Sequence, residues 1–167
     1  SEYGTKEFTW TEVNGTCSDA AVITVDFYEP PVADAGSGGQ ECDLDFQLQA
    51  TPSAGTGTWT MSAGTGTAAF APDASDPTAV VTVSEYGTKE FTWTEVNGTC
   101  SDDETITVDF YELPVADAGT GGDECDLDFQ LQATPSVGTG TWTMTAGTGA
   151  AAFAPNANDP TAVVTVS

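Results

Sequence analysis

Residues 84–102 read SEYGTKEFTWTEVNGTCSD, and residues 1–19 read the same. Within this stretch Phe91 and Trp93 alternate with Thr92 and Thr94. A period of two sets one apolar face against one wet face, as a half-buried strand requires. Beyond Asn97-Gly98, residues 105–111 (TITVDFY) alternate again, with Ile106, Val108 and Phe110 set against Thr107, Asp109 and Tyr111. Two such strands around Asn-Gly predict a hairpin. A strict two-residue Asn97-Gly98 loop sets Glu104 opposite Phe91 and Asp102 opposite Trp93. Carboxylates then fall on the apolar face, so the expectation is a longer loop or a bulge across 97–103.

The same alternation spreads outward. In ECDLDFQLQA (41–50), Cys42, Leu44, Phe46 and Leu48 alternate with Asp43, Asp45, Gln47 and Gln49. GTGTWTM (55–61) places Trp59 and Met61 against Thr58 and Thr60, and TAVVTVS (78–84) places Ala79, Val81 and Val83 on one side. Thr, Val, Phe and Trp favour strands, and Gly, Thr and Pro interrupt any helical pattern. Short strands at regular spacing predict an all-β fold of tandem immunoglobulin-like β-sandwiches, with Trp59, Trp93, Phe46 and Phe91 in the core.

The repetition continues along the whole chain at an offset of 83 residues, from Ser1 and Ser84 to Trp59 and Trp142. Eleven paired positions differ, most of them mildly, as Ser37 and Thr120 or Ala54 and Val137. Fixed self-similarity marks a modular array. PVADAGSGG (31–39), after Pro30, is the most linker-like segment, and its copy starts at Pro114. The reading is therefore three pieces: 31–113 a complete sandwich, 1–30 the last strands of a preceding repeat, and 114–167 the first strands of a following one. The chain opens in mid-repeat, as a fragment or a processed segment does. Unfinished sandwiches expose edges that recruit strands, so either the chain continues or the tail of one copy is completed by the head of the next.

Acidic residues number 26 and basic residues 2, for a net charge of -24. Without a basic patch, nucleic acid and anionic membrane surfaces are excluded as partners, and no apolar run reaches the ~20 residues of a membrane helix. Histidine is absent, which removes Ser-His-Asp catalysis, and no glycine-rich stretch carries the GK[ST] of a phosphate loop. Asp43 and Asp45 are read as solvent-facing strand positions and not as a glycosidase pair. No enzyme is expected, and no cofactor.

Four cysteines, two per repeat and none in a CxxC arrangement, read as disulfides of an oxidising, extracellular setting. Cys17 with Cys42 and Cys42 with Cys100 close loops of similar entropy. Cys42 heads the first strand and Cys100 follows the Asn97-Gly98 turn, so in an immunoglobulin-like sandwich these two are expected to meet. Cys17 and Cys125 then pair with neighbouring repeats or subunits. Asp34 in the linker and Asp102 and Asp103 in the last hairpin are the candidate ligands for Ca2+, which takes hard oxygens from mobile loops. Asn14 and Asn97 each open an Asn-Gly-Thr sequon for glycosylation.

PVADAG at the domain start, GTGTWT in the middle, DPT before a valine-rich strand and YGTKEFTWTEVNGTCSD near the end resemble the PKD-like, immunoglobulin-like repeats of large secreted surface proteins in Bacteroidota. The WDFGDG motif of polycystic-kidney-disease domains is absent. The resemblance implies a long extracellular array used in adhesins, sheaths or fibres, without catalytic residues. The function expected is a structural subunit of a surface filament, joined head to tail to copies of itself. The alternative is a repetitive adhesin or carbohydrate-binding array, for which Tyr28 and Tyr111 are the outward aromatics.

Overall fold

A computed structural model describes residues 2–167. The first piece is a long hairpin, β1 (Gly4–Asn14) and β2 (Cys17–Phe27), in unbroken antiparallel register from Gly4 opposite Phe27 to Asn14 opposite Cys17. The second piece holds seven strands: β3 (Gly39–Glu41), β4 (Asp45–Gln47), β5 (Thr56–Ala63), β6 (Ala68–Ala71), β7 (Val80–Val83), β8 (Gly87–Asn97) and β9 (Cys100–Phe110). One sheet runs β3-β9-β8-β5 and the other β4-β7-β6. Alternation in each strand sends its apolar residues between the sheets. Phe91, Trp93, Ile106, Val108 and Phe110 come from one hairpin and meet Leu48, Val81 and Val83, all buried. Trp59 and Trp93 are adjacent cross-strand partners with ring centroids 5.3 Å apart, and Phe91 sits edge-on to Phe70 and Phe110. The fold is an all-β, immunoglobulin-like sandwich.

The β8–β9 turn differs from expectation. Asn97 pairs with Cys100, so the two-residue loop is Gly98-Thr99, and no bulge interrupts the ladder. Gly98 takes a positive φ of 61°, which the mirror-type hairpin turns require. Sliding the loop by one residue brings Ile106 opposite Phe91 and Glu104 opposite Trp93. The carboxylates do share the inner face, but at the end of the domain where backbone amides await them. Ala33 N–H donates to Asp102 Oδ2 at 2.9 Å and Ala35 N–H to Glu104 Oε2 at 2.6 Å, which straps the 31–38 segment along β9. The register shift in this sheet lies instead between Met61 and Ala63 of β5.

The expected Cys42–Cys100 bridge does not form, for a topological reason. β3 runs parallel to β9, with Gly39 opposite Val108 and Glu41 opposite Phe110. Cys42 therefore lies past the C-terminal end of β9 while Cys100 begins it. At about 3.3 Å per residue the two ends of β9 are roughly 33 Å apart, against the ~7 Å limit between Cα atoms in a disulfide. Both thiols are free.

The compact unit Glu112–Ser167 contains β10 (Asp128–Gln130), β11 (Ala151–Ala154) and β12 (Val163–Val166), in the order β10-β12-β11. These copy β4, β6 and β7. The counterparts of β3 and β5, residues 122–124 and 139–146, differ from them only in Asp123 for Gln40 and Thr145 for Ser62 but form no strand. In the central sandwich those two strands gain their ladder only from β8 and β9. The segments have strand-forming sequence and lack the hairpin that would pair with them.

Candidate assembly interface

Two surfaces of the chain are copies of surfaces that pack against each other inside the central sandwich. The first is the inner face of β1–β2. Phe8, Trp10, Ile23 and Phe27 are 49%, 72%, 63% and 45% exposed, whereas their copies Phe91, Trp93, Ile106 and Phe110 are exposed by 6% or less. Exposed apolar side chains in one contiguous row mark an interaction surface.

The second surface is the inner face of the β10-β12-β11 sheet with its two unpaired flanks. A cavity of about 240 Å³ opens beside the 139–142 flank, lined among others by Pro114, Ala118, Pro135, Gly140, Trp142 and Pro160. A cavity of about 150 Å³ already admits benzene, so an indole fits. Val166 is exposed where its copy Val83 is buried. The glycines give the sharpest comparison. A Cβ on Gly57 would overlap the Trp93 indole, and one on Gly38 would strike the Thr107 carbonyl; at Gly140 and Gly121, their copies, it would meet nothing within 4 Å. The volume that Trp93 fills in the central domain stands open in the second unit.

Polar contacts are prepared in the same way. Glu95 is 1% exposed and accepts from the Ser53 amide at 2.9 Å, from the Ser53 hydroxyl and from Trp93 Nε1 at 3.1 Å. Burial pushes its carboxyl up, but hydrogen bonds from Ser53, Trp93 and the Ala54 amide outweigh burial and hold it below the ordinary glutamate value of 4.5. Its copy Glu12 lies exposed on β1. Ser136, the copy of Ser53, already accepts from Val115 N–H at 2.8 Å, as Ser53 does from Val32. Sequence reading missed Glu95 and the buried Lys89. The signal was present, because the alternation of Phe91 and Trp93 extends to residues 89 and 95.

A depressed carboxylate pKa stabilises the fold above the unfolded-state value and loses that contribution as pH falls through the folded-state value. Glu95→Gln should therefore lower the melting temperature at pH 7 by on the order of 10 °C, since hydrogen bonds to a charged group are worth about 1.5–3 kcal/mol. The deficit relative to the parent should shrink below about pH 4.5. Thermal unfolding followed by circular dichroism across that range checks it.

The remaining sequence candidates fall at the ends of the domain. Asp34 accepts from Gly36 N–H and Asp102 from Ala33 N–H, while Asp103, next along β9, points to the opposite face. Among the described residues no group of three or more His, Cys, Asp or Glu gathers around a point that would hold a metal. Asn97 donates from Nδ2 to Glu29 O at 2.9 Å, and Gly98 lies against the Tyr28 ring, so the tip of β8–β9 touches the segment leading in from β2. Asn14 is exposed at the free tip of β1–β2.

No protein-family model and no curated protein sequence matches the chain. Two solved structures of titin do match in fold. A three-immunoglobulin-domain titin fragment carrying E-to-A substitutions superimposes with a TM-score of 0.51 at 12% identity, over 97% of this chain and 64% of that one. An I-band fragment of titin gives a TM-score of 0.51 at 10% identity with the same coverage. The chain thus spans 64% of the length of either fragment. What it shares with them is the architecture of immunoglobulin-like repeats set in tandem.

Proposed function

We propose that the chain is the structural subunit of an extracellular or cell-surface fibre, grown end to end by insertion of the β1–β2 hairpin of one copy into the open sandwich of residues 114–167 of another. The observation that supports it is the internal precedent: β8–β9, nearly the same sequence as β1–β2, fills the same seat between residues 31 and 83. Copying the central register by the repeat offset sets Trp10 opposite Trp142 and Val25 opposite Gly122. That insertion would complete a four-stranded sheet, bury the Phe8, Trp10, Ile23 and Phe27 row and bring Glu12 to the Ser136 amide. The contact is the same whether the hairpin comes from a second copy or from a chain continuing past Ser167.

A head-to-tail contact that does not close on itself makes a filament. The acidic surface, net -24, opposes side-to-side association and leaves axial growth. Surface arrays of PKD-like repeats are the setting this reading favours, and the tandem titin domains show the fold used in series. The hairpin of residues 1–30 also carries Ala20, Ala21 and Val22 where 84–113 carries Asp103, Glu104 and Thr105. Two carboxylates are thereby removed from the piece that must approach an acidic partner. Negative-stain electron microscopy of the purified chain at rising concentration tests the proposal. Unbranched threads of sandwich-sized beads are expected; dispersed monomers at all concentrations would overturn it.

A further inference from the structure

We infer that consecutive copies in the fibre are locked by a disulfide across the joint, Cys100 of one copy with Cys125 of the copy that receives its hairpin. This inference rests on the hairpin-insertion reading. Its basis is what meets at the tyrosine between β2 and the central sandwich.

From one side, the β8–β9 tip reaches that tyrosine. Gly98 lies against the Tyr28 ring, Asn97 holds Glu29 O, and Cys100 is the cross-strand partner of Asn97. From the other side, the end of the first strand reaches the same position of the repeat. Tyr111 N–H donates to Glu41 O at 2.8 Å, and Cys42 follows Glu41. Offset by one repeat, Tyr28 of an inserted hairpin meets Glu124 of the receiving copy, with Cys125 next in line. One tyrosine thus has a cysteine of the preceding sandwich on one flank and a cysteine of the following sandwich on the other. Cys100 stands opposite Asn97 at about 4.5–5.5 Å and Cys42 adjoins Glu41, so the two cysteines of a joint both lie within a few residues of the same tyrosine. Within a domain the two cysteines sit at opposite ends of β9, which leaves the joint as the place where they meet. Cys17, Cys42 and Cys125 are exposed and Cys100 is half-buried, so an oxidant reaches all four.

The chemistry is a two-electron oxidation. Two S–H bonds break and one S–S bond forms, and the two electrons and two protons pass to an exogenous disulfide such as oxidised glutathione, which leaves as two thiols. Each junction between two copies uses one cysteine from each partner. The fibre becomes a covalent chain although every subunit is separate.

The experiment assembles the full chain in reductant, then exposes it to oxidised glutathione and resolves it on a non-reducing SDS gel. A ladder in steps of 17.1 kDa that collapses with reductant is expected, with linked peptides containing Cys100–Cys125 by mass spectrometry. The double variant Cys42→Ser/Cys125→Ser should sediment as threads like the parent and lose the ladder. Threads in reductant with no ladder after oxidation, or with Cys42–Cys100 linked inside one chain, would overturn the disulfide lock and leave hairpin insertion standing. An absence of threads under both conditions would overturn hairpin insertion itself.

Discussion

Gly140→Val should weaken end-to-end association by about 100-fold or more while leaving the melting of the isolated chain unchanged, and Gly57→Val should do the reverse, destabilising the central sandwich. The two glycines are the same position of the repeat and neither has a left-handed backbone, so the substitution probes space alone. At Gly57 the new side chain would collide with Trp93, which is 1% exposed, packed on Trp59 and without room to shift. Overpacking of a filled core costs about 1–3 kcal/mol and more when neighbours cannot yield. For a domain of this size about 3 kcal/mol lowers the melting temperature by roughly 12–24 °C. At Gly140 nothing stands within 4 Å, so the free chain tolerates valine. An incoming Trp10 does not, and about 3 kcal/mol of lost docking energy is a factor of about 100 in affinity. Sedimentation velocity reads the first effect and thermal circular dichroism the second.

A chain relieved of its need for a partner should stop polymerising altogether. Removing residues 1–30 and appending a second copy of residues 84–113 after Ser167 supplies the second unit with the hairpin that the central domain already possesses. Two complete sandwiches in one chain should result, monomeric at every concentration and melting higher than the parent. The segment around 139–146 should then gain slow-exchanging amides, because its backbone groups acquire the ladder that β5 has with β8. Persistent threads from this variant would mean that another surface carries the assembly.

Much of the fold was legible because alternation is a local signal. KEFTWT and TITVDFY dictate which side chains turn inward wherever the strands are placed. The cysteine pairing was not legible. It depends on whether the first strand runs parallel or antiparallel to β9, which no local pattern encodes. The assumption that the strand begins beside the turn placed Cys42 near Cys100, and the parallel pairing of Gly39 with Val108 sends it to the far end. A longer loop or a bulge was expected across 97–103 because an Asn97-Gly98 loop would set Glu104 and Asp102 against Phe91 and Trp93, whereas the ladder runs unbroken to Asn97 opposite Cys100. What decided between Asn97-Gly98 and Gly98-Thr99 was the burial of Ile106 against Phe91, a tertiary term. The roles of Asp102 and Glu104 followed from that shift, since a carboxylate on the inner face at a domain end can serve backbone amides of the linker. Likewise residues 114–167 were visible as a partial copy of the repeat, whereas the cavity at Gly140 and Trp142 needed coordinates.

The central claim is that two chains join through one hairpin and one open seat. It is tested most directly by mixing a chain that cannot donate with a chain that cannot receive. Trp10→Asp spoils the hairpin, and Trp10 is 72% exposed in the free chain, so its own fold is unaffected; Gly140→Val spoils the seat. Analytical ultracentrifugation should find each variant monomeric alone and the equimolar mixture dimeric, with nothing larger. Polymers from either variant alone, or a mixture that remains monomeric, would contradict the account.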